Sequence, residues 1–392
     1  MPMTQATSAP LESSSGRSRA VAAGLTLRQS RRRRPAEVRA HNRAVVLGLL
    51  FHGEPVSRAQ LARTTGLAPV TISDLVSELL AEGIVAEAGT AKQPRVGKPP
   101  TLVAFQHGSR QLVALDLSEV KVARGAVLDL SGRILHRRSA SLGDPAHLAE
   151  HLEDLARELL ALTSAPVLGL GIGTPGLVDP AGYLVEASNL ASHDLALAEI
   201  LHQRLGVPVH VENDANVLAL GEVTFGHAPE HGLLTVALGL GVGAGIVLHG
   251  TLIRGHRLAA GEIGHITVDE EGPTCACGRR GCLEGAVSSS TLRARLGADT
   301  GPSAQRIRAE AGATLGRVLA PIVSALNLQQ LRLFGPTEIY GGAFIEALEG
   351  TVRGRILPAL AADLDVHFSP LGEDAVLTGA VVPVLIGELG FS

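Results

Sequence analysis

Residues 261–284 read Gly-Glu-Ile-Gly-His-Ile-Thr-Val-Asp-Glu-Glu-Gly-Pro-Thr-Cys-Ala-Cys-Gly-Arg-Arg-Gly-Cys-Leu-Glu and contain every cysteine of the 392-residue chain. Cys275, Cys277 and Cys282 follow His265 within one glycine-rich loop. Three thiolates and one imidazole complete the tetrahedral shell of a structural zinc site. Three buried free thiols are the plainer alternative, and a disulfide would leave one cysteine unpaired. The clustering favours zinc.

The length and charge of the chain indicate several domains and an anionic partner. At about 100–200 residues per domain, the chain is expected to hold two or three domains. Hydrophobic residues make up 45% of the chain and aromatic residues 2%, so the core must be aliphatic. Residues 1–110 hold 15 Lys and Arg against 7 Asp and Glu, whereas residues 111–392 hold 19 against 31. A basic front end on an acidic body predicts that the front end binds an anion.

Residues 1–38 are rich in Ser, Ala and Arg and are predicted to form a disordered basic arm. A signal or transit peptide fits less well, because the apolar stretch at 20–27 is short and lacks a small-residue cleavage pattern. Residues 233–253 contain no Asp, Glu, Lys or Arg, but their glycines indicate a loop between strands rather than a membrane span. We therefore expect a cytoplasmic, nucleoid-associated protein with no membrane partner.

Residues 39–106 are predicted to form a winged helix–turn–helix DNA-binding domain. Apolar residues recur at helical spacing in 40–52, 57–65 and 70–82, and a glycine-bearing turn precedes the third helix. Two short strands within 84–105 are typical of a wing. The alternative is a helical hairpin that serves only dimerisation. The residues expected at the DNA are Ser57, Arg58, Pro69, Thr71, Ser73, Lys92, Arg95 and Lys98.

Residues 110–392 are predicted to form a two-lobed α/β domain with a cleft between the lobes. Three strands within 112–137 are followed by alternating helices and strands, and a second such unit begins at 233. Long helices are expected at 304–326 and 338–361. The expected boundaries are about 110–225 plus the C-terminal helix for the first lobe, about 226–374 for the second, and 265–284 for the zinc loop.

Polar residues cluster where the predicted strands end. Carboxylates and carboxamides from several strand ends, with little aromatic surface, suit a ligand with many hydroxyl groups, such as a sugar. Each residue alone has a plainer interpretation as a turn former or helix cap, and Asp214 in particular suits an N-cap. The clusters are Gly171–Asp179 with Asn189 beyond it, Glu212–Asn216, Gly261–His265 and Glu284.

These motifs, in this order and with the cysteine loop, resemble the ROK family of transcriptional repressors and sugar kinases. The resemblance covers about residues 40–390 and implies an actin-like ATPase (RNase H-like) fold. It implies zinc at the same histidine and three cysteines, and it makes Asp214 the equivalent of the kinase base. His193 departs from the family, which often has Trp there. The implied sugar ligands are Asn189, Asn213, Asp214, Glu262, His265 and Glu284.

Three departures lie where the family's kinases hold ATP. The loop Asp-x-Gly-Gly-Thr-Lys is Asp116-Leu-Ser-Glu-Val-Lys121 here, Gly-Thr-Gly is Gly239-Leu-Gly241, and Gly335-Pro336 replaces Gly-Gly. Glycines in such loops let backbone N–H groups approach phosphate, so their loss disfavours ATP. No catalytic residue is therefore expected. A zinc hydrolase is disfavoured because four protein ligands leave no position for water.

The chain is thus predicted to be a sugar-responsive DNA-binding transcriptional regulator. We expect a repressor of carbohydrate uptake or catabolism genes that a monosaccharide or sugar derivative releases from operator DNA, although the sequence leaves an activator open. Homodimers, or tetramers built from them, are the expected assemblies, since operators read by helix–turn–helix proteins are palindromic. The alternative is an ATP-dependent sugar kinase that retains a DNA-binding head.

Overall fold

The computed structural model describes residues 34–90, 99–119, 121–187, 190, 192–226, 228 and 231–391. The chain divides into two units, Met1–Ala40 and His41–Ser392. Helix α1 (Pro35–Phe51) begins before the predicted 40–52. Its first turn is capped, because the Glu37 carboxylate accepts the Arg34 backbone N–H at 3.0 Å and proline suits the first helical position. None of the described helices is long and apolar enough to cross a membrane.

A helix–turn–helix with a three-stranded sheet follows α1. Ser57 caps the second helix by accepting the Gln60 N–H at 3.2 Å, and Gly66 ends it with a φ of 71°. The antiparallel strand order is 1-3-2, as in a wing. The helices predicted at 57–65 and 70–82 are confirmed within a residue or so. The elements are β1 (Val56–Ser57), α2 (Arg58–Thr65), α3 (Pro69–Ala81), β2 (Val85–Thr90) and β3 (Thr101–Phe105).

The first lobe is an α/β layer. Its elements are β4 (Gln111–Glu119), β5 (Val122–Asp129), β6 (Ile134–Ser141), α4 (Leu148–Leu160), β7 (Val167–Thr174), β8 (Leu177–Val178), β9 (Leu184–Ala187), β10 (Ser192–Leu195), α5 (Leu197–Leu205), β11 (Val209–Asn213) and α6 (Asp214–Thr224). The main sheet has the order β11-β7-β4-β5-β6, and β8 to β10 form a small separate sheet. The β4–β7–β11 side is parallel and the β4–β5–β6 side antiparallel.

The second lobe repeats this topology. Its elements are β12 (Leu233–Leu238), β13 (Val242–Leu248), β14 (Thr251–Leu252), α7 (Leu283–Val287), α8 (Ser289–Leu296), α9 (Pro302–Leu326), β15 (Gln330–Phe334), α10 (Thr337–Tyr340), α11 (Ala343–Arg353), α12 (Pro358–Asp363) and β16 (Asp365–Phe368). The order β14-β13-β12-β15-β16 corresponds to the first sheet read from its other edge, β6-β5-β4-β7-β11, and the corresponding neighbours are parallel or antiparallel in the same way. The prediction of two α/β lobes is confirmed.

The prediction of one long helix at 338–361 is wrong, because three short helices, α10 to α12, occupy that segment. The chain breaks first at Gly341 and Gly342, and Gly342 has a φ of 56° that other residues rarely adopt. It breaks again before Pro358, whose ring and missing N–H prevent a helix from continuing through it.

One hydrophobic core joins the winged helix to the first lobe. Leu47 of α1 is buried in the same cluster as Leu112 of β4 and Val381 near the C-terminus. The chain ends in α13 (Ala375–Ala380), α14 (Val382–Val384) and a π-helical turn over Leu385–Leu389. This segment packs directly on β7, where a Cβ on Gly171 would lie 1.9 Å from the carbonyl oxygen of Ala380. The winged helix–turn–helix therefore shares buried side chains with one lobe.

Candidate metal centre and ligand site

The loop before α7 brings the predicted zinc ligands together. The ligand atoms of His265, Cys275, Cys277 and Cys282 all lie within 4.8 Å of one another. The Sγ atoms of Cys277 and Cys282 are 3.6 Å apart, close to the edge of about 3.8 Å expected for two thiolates on one tetrahedral zinc. The loop closes tightly at Gly281, where a Cβ would overlap the carbonyl oxygen of Asp269 at 1.4 Å.

The donor set has the chemistry of a closed metal site. A backbone N–H bond from Arg279 lowers the pKa of Cys277 to about 6, while burial raises the pKa of Cys282 to about 12. Metals bind the thiolate form, and three sulfurs with one imidazole suit a borderline-soft ion. Among the described residues this is the one group of three or more such side chains close enough to share an ion.

His265 faces the metal centre on one side and an acidic residue on the other. Its Nδ1 lies 3.6 Å from the Sγ of Cys275, and its Nε2 lies 3.8 Å from an Oε of Glu262. An imidazole that uses one nitrogen for a metal has its ring orientation fixed, so the other nitrogen presents a defined donor or acceptor. A bound metal would therefore set the direction in which His265 faces Glu262.

Asn213 and Asp214 stand at the start of α6, on the first lobe. Asn213 caps the helix by accepting the Asn216 N–H at 3.1 Å, and its Nδ2 donates to the Gly176 carbonyl at 2.9 Å. Asp214 is half-buried, and burial raises its pKa to about 6, with the charges of Asp116 and Glu262 adding to the shift. Asp214 thus lies where acidic groups from both lobes act on it.

Glu262 and Glu284 complete the set on the second lobe. An Oε of Glu284 accepts the backbone N–H of Val242 at 3.2 Å, at the start of β13. Burial raises the pKa of Glu262, the charges of Glu284 and Glu186 add to this, and His265 opposes it. One candidate ligand site is therefore formed by Asp214, Glu262, His265 and Glu284. Glu186, whose charge acts on Glu262, was not indicated by any motif in the sequence. The expected ligand Asn189 lies outside the described residues.

An ion pair next to this site was not predicted either. Arg254, in the loop between β14 and Glu262, donates from Nε and Nη2 to one carboxylate oxygen of Glu212 at 3.0 and 2.5 Å. The other oxygen of Glu212 accepts from Asn216 Nδ2 at 2.9 Å and from the Asn213 N–H at 3.0 Å. Glu212 lies in β11 of the first sheet, whereas Arg254 follows β14, an edge strand of the second sheet. The ion pair therefore crosses between the lobes.

Two of the segments that were expected to correspond to the phosphate loops of kinases make contacts within this chain. The buried carboxylate of Asp116 is paired with Arg124, which also donates to the Glu373 carbonyl at 2.9 Å. Gly239 N–H donates to the Gly241 carbonyl at 3.0 Å, so that turn closes on itself. The sequence did not indicate Arg124, because its guanidinium meets Asp116 only through the pairing of β4 with β5.

The expected DNA-contacting residues are placed unevenly. Pro69 and Ser73 are exposed on α3, Arg58 and Thr71 are half-buried, and Ser57 is buried as the cap of α2. Arg43 forms ion pairs with Glu78 and Glu82 at 3.3 and 2.6 Å. Its positive charge therefore offsets the negative charge of these two acids at the end of α3. Lys92, Arg95 and Lys98 lie outside the described residues.

A helix–turn–helix joined to two α/β lobes of matching topology defines the class of protein: a chain of the actin-like ATPase fold with a winged helix–turn–helix head. Residues 113–384 match the ROK family, and the chain belongs to that family. The predicted fold class and family are both confirmed.

The chain is similar to transcriptional regulators over most of its length and to a sugar kinase over a shorter part. The xylose repressor of Caldicellulosiruptor bescii is 27% identical over 89% of this chain and 96% of that protein. A crystal structure of a ROK family transcriptional regulator, a homologue of Escherichia coli Mlc, has a TM-score of 0.78 at 25% identity and covers 90% of this chain and 97% of that one. A Streptomyces griseus ROK glucokinase, solved with glucose and AMPPNP, has a TM-score of 0.61 at 25% identity and covers 69% of this chain and 97% of that one.

Proposed function

We propose that this protein is a sugar-responsive transcriptional repressor that binds operator DNA as a homodimer through its winged helix. A monosaccharide held by Asn213, Asp214, Glu262, His265 and Glu284, with Asn189 as a further ligand, releases it from the operator. The relatives that span nearly the whole chain support this, since they are named as repressors or regulators.

The observation that carries the proposal is the core shared by the winged helix and the first lobe. A sugar affects DNA binding only through a difference in its affinity for two states of the protein, typically about 1–3 kcal/mol. Packed side chains common to both domains give such a difference a route to the DNA-binding surface. A head on a free linker would have no such route.

Zinc is the metal we assign to the cluster of one histidine and three cysteines, in a structural role. With four protein ligands the ion has no open position, so it supplies rigidity and no reaction chemistry. His265, Cys275, Cys277 and Cys282 would hold it, and His265 would carry its effect to the sugar.

The test is a titration of operator binding with sugars. Genomic fragments selected by the full-length protein would be labelled, and their affinity measured by fluorescence anisotropy with D-xylose, D-glucose and N-acetyl-D-glucosamine. We expect one sugar to weaken operator binding at least about fivefold, as a coupling of about 1 kcal/mol or more requires. Operator affinity that ignores every sugar bound by the protein would refute the proposal.

A sugar kinase is the second candidate, because Asp214 stands where a kinase of this family would have its base and its pKa is raised to about 6. A base near neutral pH suits proton abstraction from a sugar hydroxyl. Against it, the Asp116 carboxylate is engaged by Arg124. ATP turnover with any of the three sugars, abolished by Asp214→Asn, would establish the kinase; its absence would leave the repressor.

A further inference from the structure

We propose that the ion pair between Glu212 and Arg254 sets the spacing between the two halves of the sugar site, which makes both residues positioning residues. This inference rests on the proposed function. Asn213 and Asp214 come from one lobe, whereas Glu262, His265 and Glu284 come from the other, so a sugar bound by all of them needs the lobes at a fixed separation.

The first half of the site is tied directly to Glu212. Its carboxylate oxygen accepts the Asn213 backbone N–H at 3.0 Å and the Asn216 side-chain N–H at 2.9 Å. Asn216 lies on the first turn of α6, which Asn213 caps. Any displacement of Glu212 therefore moves the start of α6, including Asp214.

The second half is tied to Arg254 through a short loop. The Arg254 carbonyl accepts the Ala260 N–H at 3.1 Å, two residues before Glu262. The carbonyl oxygen of the next residue, Gly261, accepts the Ala244 N–H of β13 at 2.9 Å, and a Cβ on Gly261 would lie 1.8 Å from the Ala244 carbonyl oxygen. The loop is thus closed at its base, and Glu262 and His265 leave it in a fixed direction.

The pair that joins these halves differs from an ordinary surface ion pair. The Glu212 side chain is 8% exposed, and its carboxylate accepts hydrogen bonds from Asn213, Asn216 and Arg254. A buried carboxylate that loses its cation keeps an uncompensated charge, so the paired state is strongly favoured. The Arg254 side chain is 39% exposed and can leave the pair without itself being stranded in the interior.

Four variants distinguish an effect of the ion pair on the arrangement of the sugar site from a general loss of stability. Glu212→Gln keeps an acceptor for Asn213 and Asn216 but removes the charge that faces Arg254. Arg254→Met removes the guanidinium and keeps an apolar stem, and Arg254→Lys restores the charge without the two-pronged contact. The double variant Glu212→Gln/Arg254→Met completes a cycle. Arg295→Met is the matched control, since Arg295 is 40% exposed and pairs with Glu310 at 3.0 Å away from the site.

The first measurement is sugar affinity by calorimetry, with D-xylose, D-glucose and N-acetyl-D-glucosamine as probes. We expect Glu212→Gln and Arg254→Met each to weaken binding about tenfold, the double variant to be no worse than either, and Arg254→Lys to recover part of the loss. Zinc content and sugar-free operator affinity should match the control. Sugar affinity within about twofold of the control in both single variants would overturn the inference.

The second measurement needs no sugar. Hydrogen exchange of the backbone amides at 262–265 should be faster in Arg254→Met than in Arg295→Met, because the loop loses its tie to the first lobe. Equal protection in both variants would overturn the inference. If the wild-type protein binds none of the sugars, the proposed function fails, whereas the exchange result still decides whether the ion pair holds the loop.

Discussion

The ring of Phe225 lies 6.3 Å from the ring of Phe51, measured between centroids, and the contact joins the end of α6 to the winged helix. Because α6 begins at Asp214, one helix contacts the candidate sugar site at one end and the winged helix–turn–helix at the other. Phe51 also meets Phe105 and Phe391, each at 5.1 Å. Four of the seven phenylalanines in the chain gather here.

Because of this contact, we expect a substitution at Phe225 to weaken the coupling between sugar binding and operator binding while both kinds of binding persist. Phe225→Ala should keep sugar affinity and sugar-free operator affinity within about threefold, while the sugar-induced loss of operator affinity shrinks by about 1 kcal/mol, within the usual range for such couplings. Phe225→Leu, which keeps an apolar group against Phe51, is the control and should respond nearly as the wild type does. Operator anisotropy with and without sugar measures the effect, and an unchanged response in Phe225→Ala would contradict it.

The sequence predicted the parts of this protein that depend on local pattern. Helical spacing located α2, α3 and α9 to within about two residues. The cysteine motif correctly predicted a cluster of His265 with three thiols, whose ligand atoms lie within 4.8 Å of one another. Local pattern failed over 338–361, where apolar spacing continued through Gly341 and Gly342 although the backbone turns there.

Contacts between distant segments were beyond local pattern. Glu212 and Arg254 are 42 residues apart, and nothing in the local sequence of either residue indicates the other until β11 and the loop after β14 are brought together. Phe51 and Phe225 are scattered apolar residues in the sequence, and only the packing of α6 beside the winged helix makes them neighbours. Such pairs depend on the tertiary arrangement, which hydrophobic periodicity does not encode.

Removing one zinc ligand should damage the sugar site. Cys277 is exposed, so Cys277→Ser changes one ligand with little effect on packing. We expect loss of bound zinc and a fall of at least about tenfold in sugar affinity, because the freed His265 no longer faces Glu262 in a fixed direction. Ala276→Ser, at the exposed position between two cysteines, is the control. Elemental analysis and calorimetry are the measurements, and full sugar affinity in zinc-free protein would disprove the link.

The raised pKa of Asp214, about 6 against an ordinary 3.8, predicts a pH-dependent stability. A carboxyl group whose pKa is higher in the folded state leaves the fold most stable at low pH and removes stability as the pH rises through the folded pKa. At about pH 7.5 Asp214→Asn should therefore gain about 1–2 kcal/mol, a figure reduced because the side chain is only half-buried, and at about pH 5, between the two pKa values, it should gain about half as much. Thermal unfolding at both pH values tests this, with exposed Asp154→Asn on α4 as control. A gain that is independent of pH would contradict it.

The wing should supply cationic contacts to DNA phosphates, because α3 contains no Lys or Arg although residues 1–110 carry an excess of positive charge. Each phosphate contact releases a counterion, so replacing Arg95 or Lys98 with Ala should weaken operator binding and lower the slope of log affinity against log salt by about 1. Because phosphate contacts carry no sequence information, affinity for operator and for unrelated DNA should fall together. Arg295→Ala is the control: it removes one positive charge from the second lobe, away from the wing, and should leave the slope unchanged. Anisotropy titrations over a range of salt concentrations measure the slope, and a slope equal to that of Arg295→Ala would exclude the wing from the interface.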